Sequence, residues 1–444
     1  MNLLSSLLTD RSTNDIFRSF KYRNYRLFFG GQSISLIGTW MQRVAMGWLV
    51  YRLSNSALVL GIVAFAGQIP GFLLTLFGGV AADRYNRYKL LIITQILSLI
   101  QAAILSMLVL TDSIEIWHLV FLNIFLGTIN AFDMPVRQAF VVEMIEKRED
   151  LANAIALNSS MVNTAKVLGP SIAGVLIAAV GEGMCFLLNA VSYLAVIASL
   201  FLMKINKVQI KPSSSTAWQQ LKSGFTYVFG FPPIKYIIEL LVLVSLTGMS
   251  YIVLIPIFAK DILLGGPRTL GFLMGASGIG ALIGVVYLAG RKTVLGLEKI
   301  IAIASALFGI GLVCFSLSAS IWPSMFFMLL AGLGLIVQIA SCNTVLQAMV
   351  DDDVRGRVMS FYIMAFIGVI PFGSLLAGGL AHIIGAANTL LINGTFCVLG
   401  SVLFAMKLPS LRKMIHPVYA RKGIVPEVTK GIQTATELTV PPED

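Results

Sequence analysis

The amino-acid sequence predicts an all-α polytopic membrane protein in which twelve transmembrane helices form two pseudo-repeated six-helix bundles. Three observations predict this fold. Of the 444 residues, 57% are apolar and only 12% are charged, a balance that ordinary soluble proteins do not have. The apolar residues form long stretches of similar length. The basic residues between those stretches are concentrated in every second loop.

Twelve apolar stretches are long enough to span a membrane, because a helix needs roughly 20 mostly apolar residues to cross the hydrocarbon core of a bilayer. Charged residues or turn formers bound each of these stretches. The predicted spans are residues 25–51, 57–80, 89–111, 116–136, 153–181, 183–204, 234–258, 269–290, 299–319, 322–347, 357–382 and 387–407.

The lysines and arginines predict the orientation, because short cytoplasmic loops carry an excess of them. With the N-terminus inside, the cytoplasmic segments hold 27 of the 32 basic residues, and the outer loops hold only Arg52, Lys260 and Arg268. A missed or extra span would reverse the later loops and destroy this segregation. We therefore expect both termini to be cytoplasmic. The net charge of +11 then reflects topology and not nucleic-acid binding.

A polar passage near the middle of the chain divides the spans into six and six. It contains the basic, serine-rich stretch 211–216, followed by apolar residues at helical spacing between Trp218 and Val228. This pattern predicts a linker and a helix on the membrane surface. The predicted divisions are a cytoplasmic N-terminal segment 1–24, a first bundle 25–204, a linker with an interfacial helix 205–233, a second bundle 234–407 and a cytoplasmic tail 408–444.

Two short matches indicate that the halves are an internal repeat. The pair Leu60-Gly61 at the start of the second span matches Leu270-Gly271 at the start of the eighth, an offset of 210 residues. The pair Gln138-Ala139 after the fourth span matches Gln347-Ala348 after the tenth, an offset of 209. Duplicated halves that rock about a site at the midplane are a recurrent transporter design.

Two basic side chains lie inside predicted spans, where a charge is costly and therefore marks a functional candidate. Arg43 lies in the outer half of the first span, and Lys166 lies near the centre of the fifth. We expect both helices to line a hydrated cavity of positive potential. Alternatively, Arg43 extends to the outer surface and Lys166 binds carbonyls freed by Pro170. The polar residues that share these two helical faces are Gln32, Ser35, Thr39 and Gln42 beside Arg43, and Ser159 and Asn163 beside Lys166.

Carboxylates are absent from the middle of the predicted spans. Glu239, about one and a half turns into the seventh span, is the best candidate for a site that loads a coupling proton. Alternatively, it is a surface carboxylate paired with Lys235 four residues earlier. Because no acid is available to pair with Arg43 and Lys166, we expect anionic or hydrogen-bonding substrates in preference to lipophilic cations.

The loop between the second and third spans contains the most specific motif, Gly79 to Lys89, with the sequence GVAADRYNRYK. This loop resembles the signature loop of the major facilitator superfamily, although Asn86 stands where glycine is usual and the last basic residue comes one place late. Asparagine tolerates the positive φ that glycine provides. The resemblance implies a cytoplasmic latch that stabilises an outward-facing state; the alternative is a plain basic loop.

The resemblance also implies a role for each latch residue. Gly79 allows close helix approach, and Asp83 accepts hydrogen bonds from a helix N-terminus in the opposite half. Arg84 adds positive charge, and Arg87 reaches Asp133 near the inner end of the fourth span.

The fifth span carries Gly169, Pro170 and Gly174, which resemble the core of a motif in exporters of this superfamily. Proline removes a backbone donor and bends a helix, and glycines let a neighbouring helix approach. We expect that neighbour to be the eighth span, with its own glycines at positions 271, 275, 280 and 284. The motif favours efflux over uptake, and ordinary helix packing is the alternative.

A finer resemblance extends over residues 18–423. It is carried by the segments Asn24–Arg26, Thr39–Arg43, Trp48–Tyr51, Pro256–Phe258 and Arg355–Val358. These segments are similar to the bacterial branch that contains enterobactin exporters and macrolide-efflux-like proteins. The second half departs from the pattern, because Gly284 is followed four residues later by Leu288 and not by aspartate.

The function that the resemblance implies is secondary active transport by alternating access, with proton-coupled efflux of a siderophore-, macrolide- or drug-like molecule across the bacterial inner membrane. The alternatives are an importer, a lipid flippase, or a membrane sensor or enzyme. We expect no cofactor and a monomer in the lipid bilayer. There is no nucleotide-binding loop, no cleavable signal peptide and no catalytic constellation around the three histidines. The four cysteines lie inside spans without metal-ligand spacing, as small core side chains do.

Overall fold

All regular structure in the described part of the chain is helical. A computed structural model describes residues 17–204, 227–291 and 293–422. The first half contains α1 (Arg23–Ser54), α2 (Ala57–Arg84), α3 (Arg87–Leu110), α4 (Ile116–Glu143), α5 (Arg148–Val180) and α6 (Glu182–Leu202), preceded by a short 3-10 helix (Arg18–Lys21). The second half contains α7 (Pro232–Ile262), α8 (Pro267–Ala289), α9 (Leu297–Ser316), α10 (Ile321–Met349), α11 (Val354–Ile384) and α12 (Ala386–Arg421).

Eleven of the described helices are long and apolar enough to cross a membrane. The exception is α1, which has 32 residues and contains the first predicted span. Its length is sufficient, but Gln32, Gln42 and Arg43 make it too polar to qualify by composition. The prediction of a polytopic helical membrane protein is therefore confirmed, and the twelfth span remains a prediction. Most of the predicted interfacial helix, residues 205–226, and the termini 1–16 and 423–444 lie outside the described residues.

Several helix ends follow from local sequence. The Ser56 and Asn86 side chains accept hydrogen bonds from backbone N–H groups three residues later and so begin α2 and α3, as N-cap residues do. Gly181 and Gly385 adopt φ values of +82° and +84° between α5 and α6 and between α11 and α12. Only glycine adopts such a backbone without strain. These two glycines therefore permit tight connections at corresponding places in the two halves.

Two helices of the second half are irregular. In α7, π-helical turns at Val244–Gly248 and Phe258–Ile262 flank the regular segment Tyr251–Ile257. In α11, regular helix stops at Ile367 and resumes at Ile370. Single π-turns often mark functional places in a helix. The second of the two, Phe258–Ile262, which we call the outer π-turn, contributes to the contact between the halves described below.

Two pairs of helices join the halves, α2 with α11 and α5 with α8. Near one end of each pair the two backbones touch at glycines. A Cβ atom on Gly61 would lie 3.0 Å from the Cα atom of Gly378, and one on Gly174 would lie 2.8 Å from the Cα atom of Gly271. Gly61 and Gly271 are the residues related by the offset of 210. The internal repeat therefore appears in the structure as two equivalent glycine crossings, which we call the glycine crossings.

The contacts between the halves are concentrated at one end of the described helices. From the glycine crossings the contact continues along α2 to Phe72, which packs edge-on against Phe372 with ring centroids 5.8 Å apart. Along α5 it continues to Val167, which lies against Gly278. Near the loop that joins α2 and α3, a Cβ atom on Gly79 would meet nothing within 4 Å. We call the loop side the open end and the glycine-crossing side the closed end. In the predicted orientation the open end is cytoplasmic.

Candidate functional site

Arg43 and Lys166 converge on one aromatic side chain. The guanidinium carbon of Arg43 lies 4.6 Å from the centroid of the Trp40 ring, and the Nζ atom of Lys166 lies 5.6 Å from it. The Arg43 side chain is exposed and the Lys166 side chain is half-buried, although both residues lie well inside their helices. Neither makes a hydrogen bond or an ion pair with any other described residue. The sequence predicted the two cations, but it did not indicate that Trp40 lies between them.

Gln42 of the α1 stripe does not line the space between the halves. It is buried, donates to Oε1 of Gln101 at 3.0 Å and accepts from Nδ2 of Asn189 at 2.6 Å. Its assignment to the cavity is therefore wrong in this conformation, because it packs against α3 and α6 of its own half. Thr39 is half-buried and donates to the carbonyl of Ser35 at 2.9 Å, and its assignment to the cavity stays a prediction.

Gln32 is also buried, with 2% of its surface exposed. Its Oε1 atom has no hydrogen-bond partner among the described residues. Like Gln42, it does not reach the cavity in this conformation, so its assignment to the cavity is wrong.

On α5, Asn163 and Lys166 remain candidates for the cavity wall. Both are half-buried, and Asn163 donates to the carbonyl of Ser159 at 2.9 Å. Lys166 donates to no backbone carbonyl in the described part of the chain, so the alternative in which Pro170 frees an acceptor for it is not observed. The helix continues through Pro170 without a break.

The two glycines of the α5 motif contact different neighbours. Gly174 packs on Gly271 of α8, as predicted. Gly169 instead packs on α1, where a Cβ atom would lie 2.5 Å from the Cβ atom of Trp40. The glycines of α8 are similarly divided. Gly271 and Gly275 contact α5, and the glycines at positions 280 and 284 contact α10. The expectation that α8 is the neighbour of the α5 glycines is therefore confirmed for Gly174 and wrong for Gly169, because Gly169 faces α1 of its own half.

Arg87 of the α2–α3 loop binds a different acid from the one expected. Its guanidinium lies 2.7 Å from Glu143 at the end of α4 and 3.7 Å from Asp83, and its Nε atom donates to the carbonyl of Ala82 at 2.8 Å. It makes no contact with Asp133. The predicted pair of Arg87 and Asp133 is wrong because Glu143, the last residue of α4, lies beside the loop, whereas Asp133 lies ten residues earlier in the helix.

Asp133 has its own set of donors. The hydroxyl of Thr94 and the Nε2 atom of Gln95 donate to its Oδ1 atom at 2.8 and 2.7 Å, and Arg137 lies 3.2 Å from Oδ2. The carboxylate is almost fully buried. Such a carboxylate is stable inside a protein only when it is hydrogen-bonded and paired, as it is here.

The remaining latch residues make no described contact with the second half. Asp83 is exposed and has Arg87 as its partner, Arg84 is exposed, and Gly79 touches no neighbouring helix. Asn86 has a φ of −64°. Our expectation that it would use a positive φ is wrong, because its side chain caps α3 instead.

Glu239 is an exposed carboxylate on α7. Its nearest partner is Lys235 at 3.7 Å, one turn earlier on the same helix. This geometry corresponds to the surface ion pair that we considered as the alternative to a proton site. Pairs of this kind contribute little to stability.

A polar cluster at the closed end was not predicted. The hydroxyl of Tyr51, at the end of α1, donates to the carboxylate of Asp261 in the outer π-turn of α7. In the same place, Nζ of Lys260 donates to the side-chain oxygen of Asn55 at 2.5 Å and lies 5.2 Å from the centre of the Tyr51 ring. These four residues, which we call the outer cluster, join the two halves. Tyr51 and Asp261 are separated by the repeat offset of 210, so they occupy corresponding positions in the two halves, but the offset alone does not predict that they touch.

The last helix extends past the bundle and contacts two loops of the second half at the open end. Arg412 lies 2.9 Å from the buried carboxylate of Glu298 at the start of α9, and Lys422 lies 3.3 Å from Asp351 after α10. In the second half, cations of the tail therefore pair with the acids of these loops, whereas in the first half Arg87 of the loop itself does so. In the described part of the chain no group of three histidine, cysteine or acidic side chains could hold a metal ion.

Comparison with known proteins agrees with this architecture. A family model described as "Transmembrane secretion effector" matches residues 16–424. The staphyloferrin A transporter of Staphylococcus aureus is 30% identical over 84% of this chain and 94% of its own length. The multidrug efflux pump Tap of Mycolicibacterium fortuitum is 26% identical over 84% and 92%. The macrolide efflux protein A of Streptococcus pyogenes is 23% identical over 89% and 99%.

A similar solved structure is that of a bacterial homologue of the human lysosomal transporter Spinster in an inward-facing, unoccupied conformation. It superimposes with a TM-score of 0.68 and 13% sequence identity over 92% of this chain and 99% of the other. At this identity the likeness shows a common fold.

Proposed function

The chain belongs to the transmembrane secretion effector family of major facilitator transporters, and from this membership we propose that it exports a small organic molecule across the bacterial inner membrane in exchange for protons. It is a transmembrane transporter and not an enzyme. Several relatives bear the names of efflux proteins for multiple drugs or macrolides, which supports the export direction.

The observation that carries the proposal is the pair of cations Arg43 and Lys166, which have no acidic partner among the described residues. The two halves around them contact each other mainly at one end. A carrier that works by alternating access must hold its substrate near the midplane and expose it to each side in turn. We propose that Arg43 and Lys166 lie at that depth. Lys166 is on α5, which packs on α8 of the second half, and the glycine crossings close the path on the other side. We propose that substrate enters from the open end and binds beside these cations.

The orientation is part of the proposal. Both termini would lie in the cytoplasm, with the first bundle at 25–204, the second at 234–407 and the tail at 408–444. The open end would then be the cytoplasmic end. Neither Asp83 nor Gly79 contacts a described residue of the second half in this conformation. This is consistent with a latch that forms only when the cytoplasmic end closes.

The experiment that tests export is the accumulation of substrate in cells that overproduce the protein, measured across a panel of siderophores, macrolides and other drugs. Lys166→Ala and Asp83→Asn should raise intracellular accumulation to the level of cells without the protein. Lys299→Ala, which removes an exposed lysine at the start of α9, is the matched control and should export normally. Unchanged retention of every compound would refute export. Uptake of a compound in place of its loss would indicate an importer.

Proton exchange is tested separately in proteoliposomes that contain a pH-sensitive dye. Addition of a transported compound should move protons in the direction opposite to the compound. Loss of this signal in Glu239→Gln, with compound binding intact, would assign the coupling proton to Glu239. Normal exchange in that variant would leave Glu239 as the surface ion pair that its contact with Lys235 indicates.

A further inference from the structure

Trp40, Arg43 and Lys166 form a site whose two positive charges have no acidic partner among the described residues. Trp40 belongs to a small cluster with Leu36, Met161 and Ala165 that joins α1 to α5. The Cβ atom of Trp40 is held against the backbone of Gly169, where no larger residue would fit. The ring is therefore fixed between the two helices. Because both cations contact it, the ring also fixes where Arg43 and Lys166 lie.

The buried acids of the described chain are all paired elsewhere. Asp133 has Arg137, Asp150 has Lys21, Glu182 has Arg52 and Glu298 has Arg412. None of these acids contacts Arg43 or Lys166. Contact with an aromatic face stabilises a cation by about 0.5 to 2 kcal/mol, which is too little to replace the hydration or the counter-ion that a charge inside a membrane needs.

Arg43 and Lys166 have no acidic partner among the described residues, so a ligand can offer one negative charge to each of them. A single carboxylate can neutralise only one of them, and a lipophilic cation would be repelled by both. A ligand with two acidic groups can place one on each cation, and its carbon chain can then cover the face of the indole ring. Asn163 is half-buried one turn before Lys166 on α5 and offers an amide for a hydroxyl or carbonyl of the same ligand.

We propose that the site formed by Trp40, Arg43 and Lys166 binds an organic anion that carries at least two carboxylates or equivalent acidic groups. This inference rests on the proposed transport function and specifies the substrate class of that site. Trp40 is a positioning residue in it, because it sets the separation of the cations that receive the acidic groups.

The test uses purified protein in nanodiscs and measures binding by calorimetry with probes of defined charge. The probes are succinate, glutarate and adipate, the monocarboxylates of the same chain lengths, the dimethyl esters, and tetraphenylphosphonium. At least one diacid should bind about tenfold or more tightly than its monoacid, as expected when one charge-assisted hydrogen bond is lost. The esters and the phosphonium should bind more weakly still.

The variants Arg43→Gln and Lys166→Gln should each weaken diacid binding about tenfold and should remove the preference for diacid over monoacid. Trp40→Leu should reduce that preference and change which chain length binds best, whereas a merely structural role would lower all affinities together. Lys299→Gln is the matched control and should behave as the unmodified protein. Melting temperatures of all variants verify that they are folded.

The inference is overturned if no diacid binds, if tetraphenylphosphonium binds as well as the best diacid, or if the diacid preference survives in both glutamine variants. This outcome is distinguishable from failure of the proposed export. Binding is measured without a gradient, so a diacid preference in a protein that exports nothing would refute export alone. Export of cationic drugs without diacid binding would refute this inference alone.

Discussion

Replacement of Gly378 by alanine should weaken the closed end, whereas the same replacement at Gly379 should not. The new Cβ atom at position 378 would lie 2.7 Å from the carbonyl oxygen of Ala57 and 2.8 Å from the Cα atom of Gly61. At position 379 it would meet nothing within 4 Å. Carbon atoms in favourable contact are about 3.5 to 4.0 Å apart. The Gly378→Ala variant must therefore push α2 and α11 apart by several tenths of an ångström.

Overpacking of this kind costs about 1 to 3 kcal/mol. The cost applies to the conformation in which the halves touch at the closed end, and it is relieved when that end opens. A free-energy difference of this size shifts a two-state equilibrium about 5- to 150-fold. We therefore expect Gly378→Ala to favour the conformation that is open at the present closed end, and Gly174→Ala at the equivalent crossing to do the same.

The assay is the distance between spin labels at Ser113 and Ala319, which are exposed in closed-end loops of the first and second halves. Labels are attached to introduced cysteines after the four native cysteines are replaced. The distance distribution should move to longer values in Gly378→Ala and remain unchanged in Gly379→Ala. Identical distributions and identical melting temperatures in the two variants would refute the reasoning.

Three further predictions follow from contacts described above. Asp261→Asn should lose a hydrogen bond to a charged acceptor, worth about 1.5 to 3 kcal/mol, and should lengthen the same closed-end distance. Tyr51→Phe should have a similar effect, and the double variant should add little, whereas full additivity would show that the hydroxyl and carboxylate do not interact. Gln42→Leu should lower the free energy of unfolding by about 1 to 3 kcal/mol because it leaves buried amides without partners; normal stability with lost substrate binding would return Gln42 to the cavity. Arg412→Gln should lower the melting temperature by removing the partner of a buried carboxylate, and an unchanged value would show that the tail does not hold the second half.

The sequence predicted the helical membrane fold because that prediction depends on composition and span length alone. It also predicted that the glycine motif of α5 packs on α8, as Gly174 does on Gly271, and it related Gly61 to Gly271 through the repeat offset without predicting the contact of Gly61 with Gly378. It did not show that a second offset of 204 relates Gly174 to Gly378 and Gly181 to Gly385, since the two halves differ in loop length by a few residues. The matches are single glycines, which cannot be separated from chance without the structure.

The candidate site was predicted less completely than the fold. Arg43 and Lys166 could be found because a charge inside a span is rare. The wrong assignments of Gln32 and Gln42 have a common cause, because one helical face can turn toward its own bundle at one level and toward the cavity at another. Ion-pair partners such as Arg87 and Glu143 depend on differences of a few ångströms in depth, and residue spacing alone does not determine them.

The glycine crossings have a consequence for how such a transporter can change its cargo. At both crossings backbone rests on backbone with no side chain between, so the fit of the closed end depends on the absence of a methyl group at four glycines. The side chains proposed to meet the cargo, Arg43 and Lys166, lie elsewhere. Substitutions among those side chains can therefore retune selectivity while the closed end still forms, whereas one added methyl group at a crossing disturbs closure for every cargo.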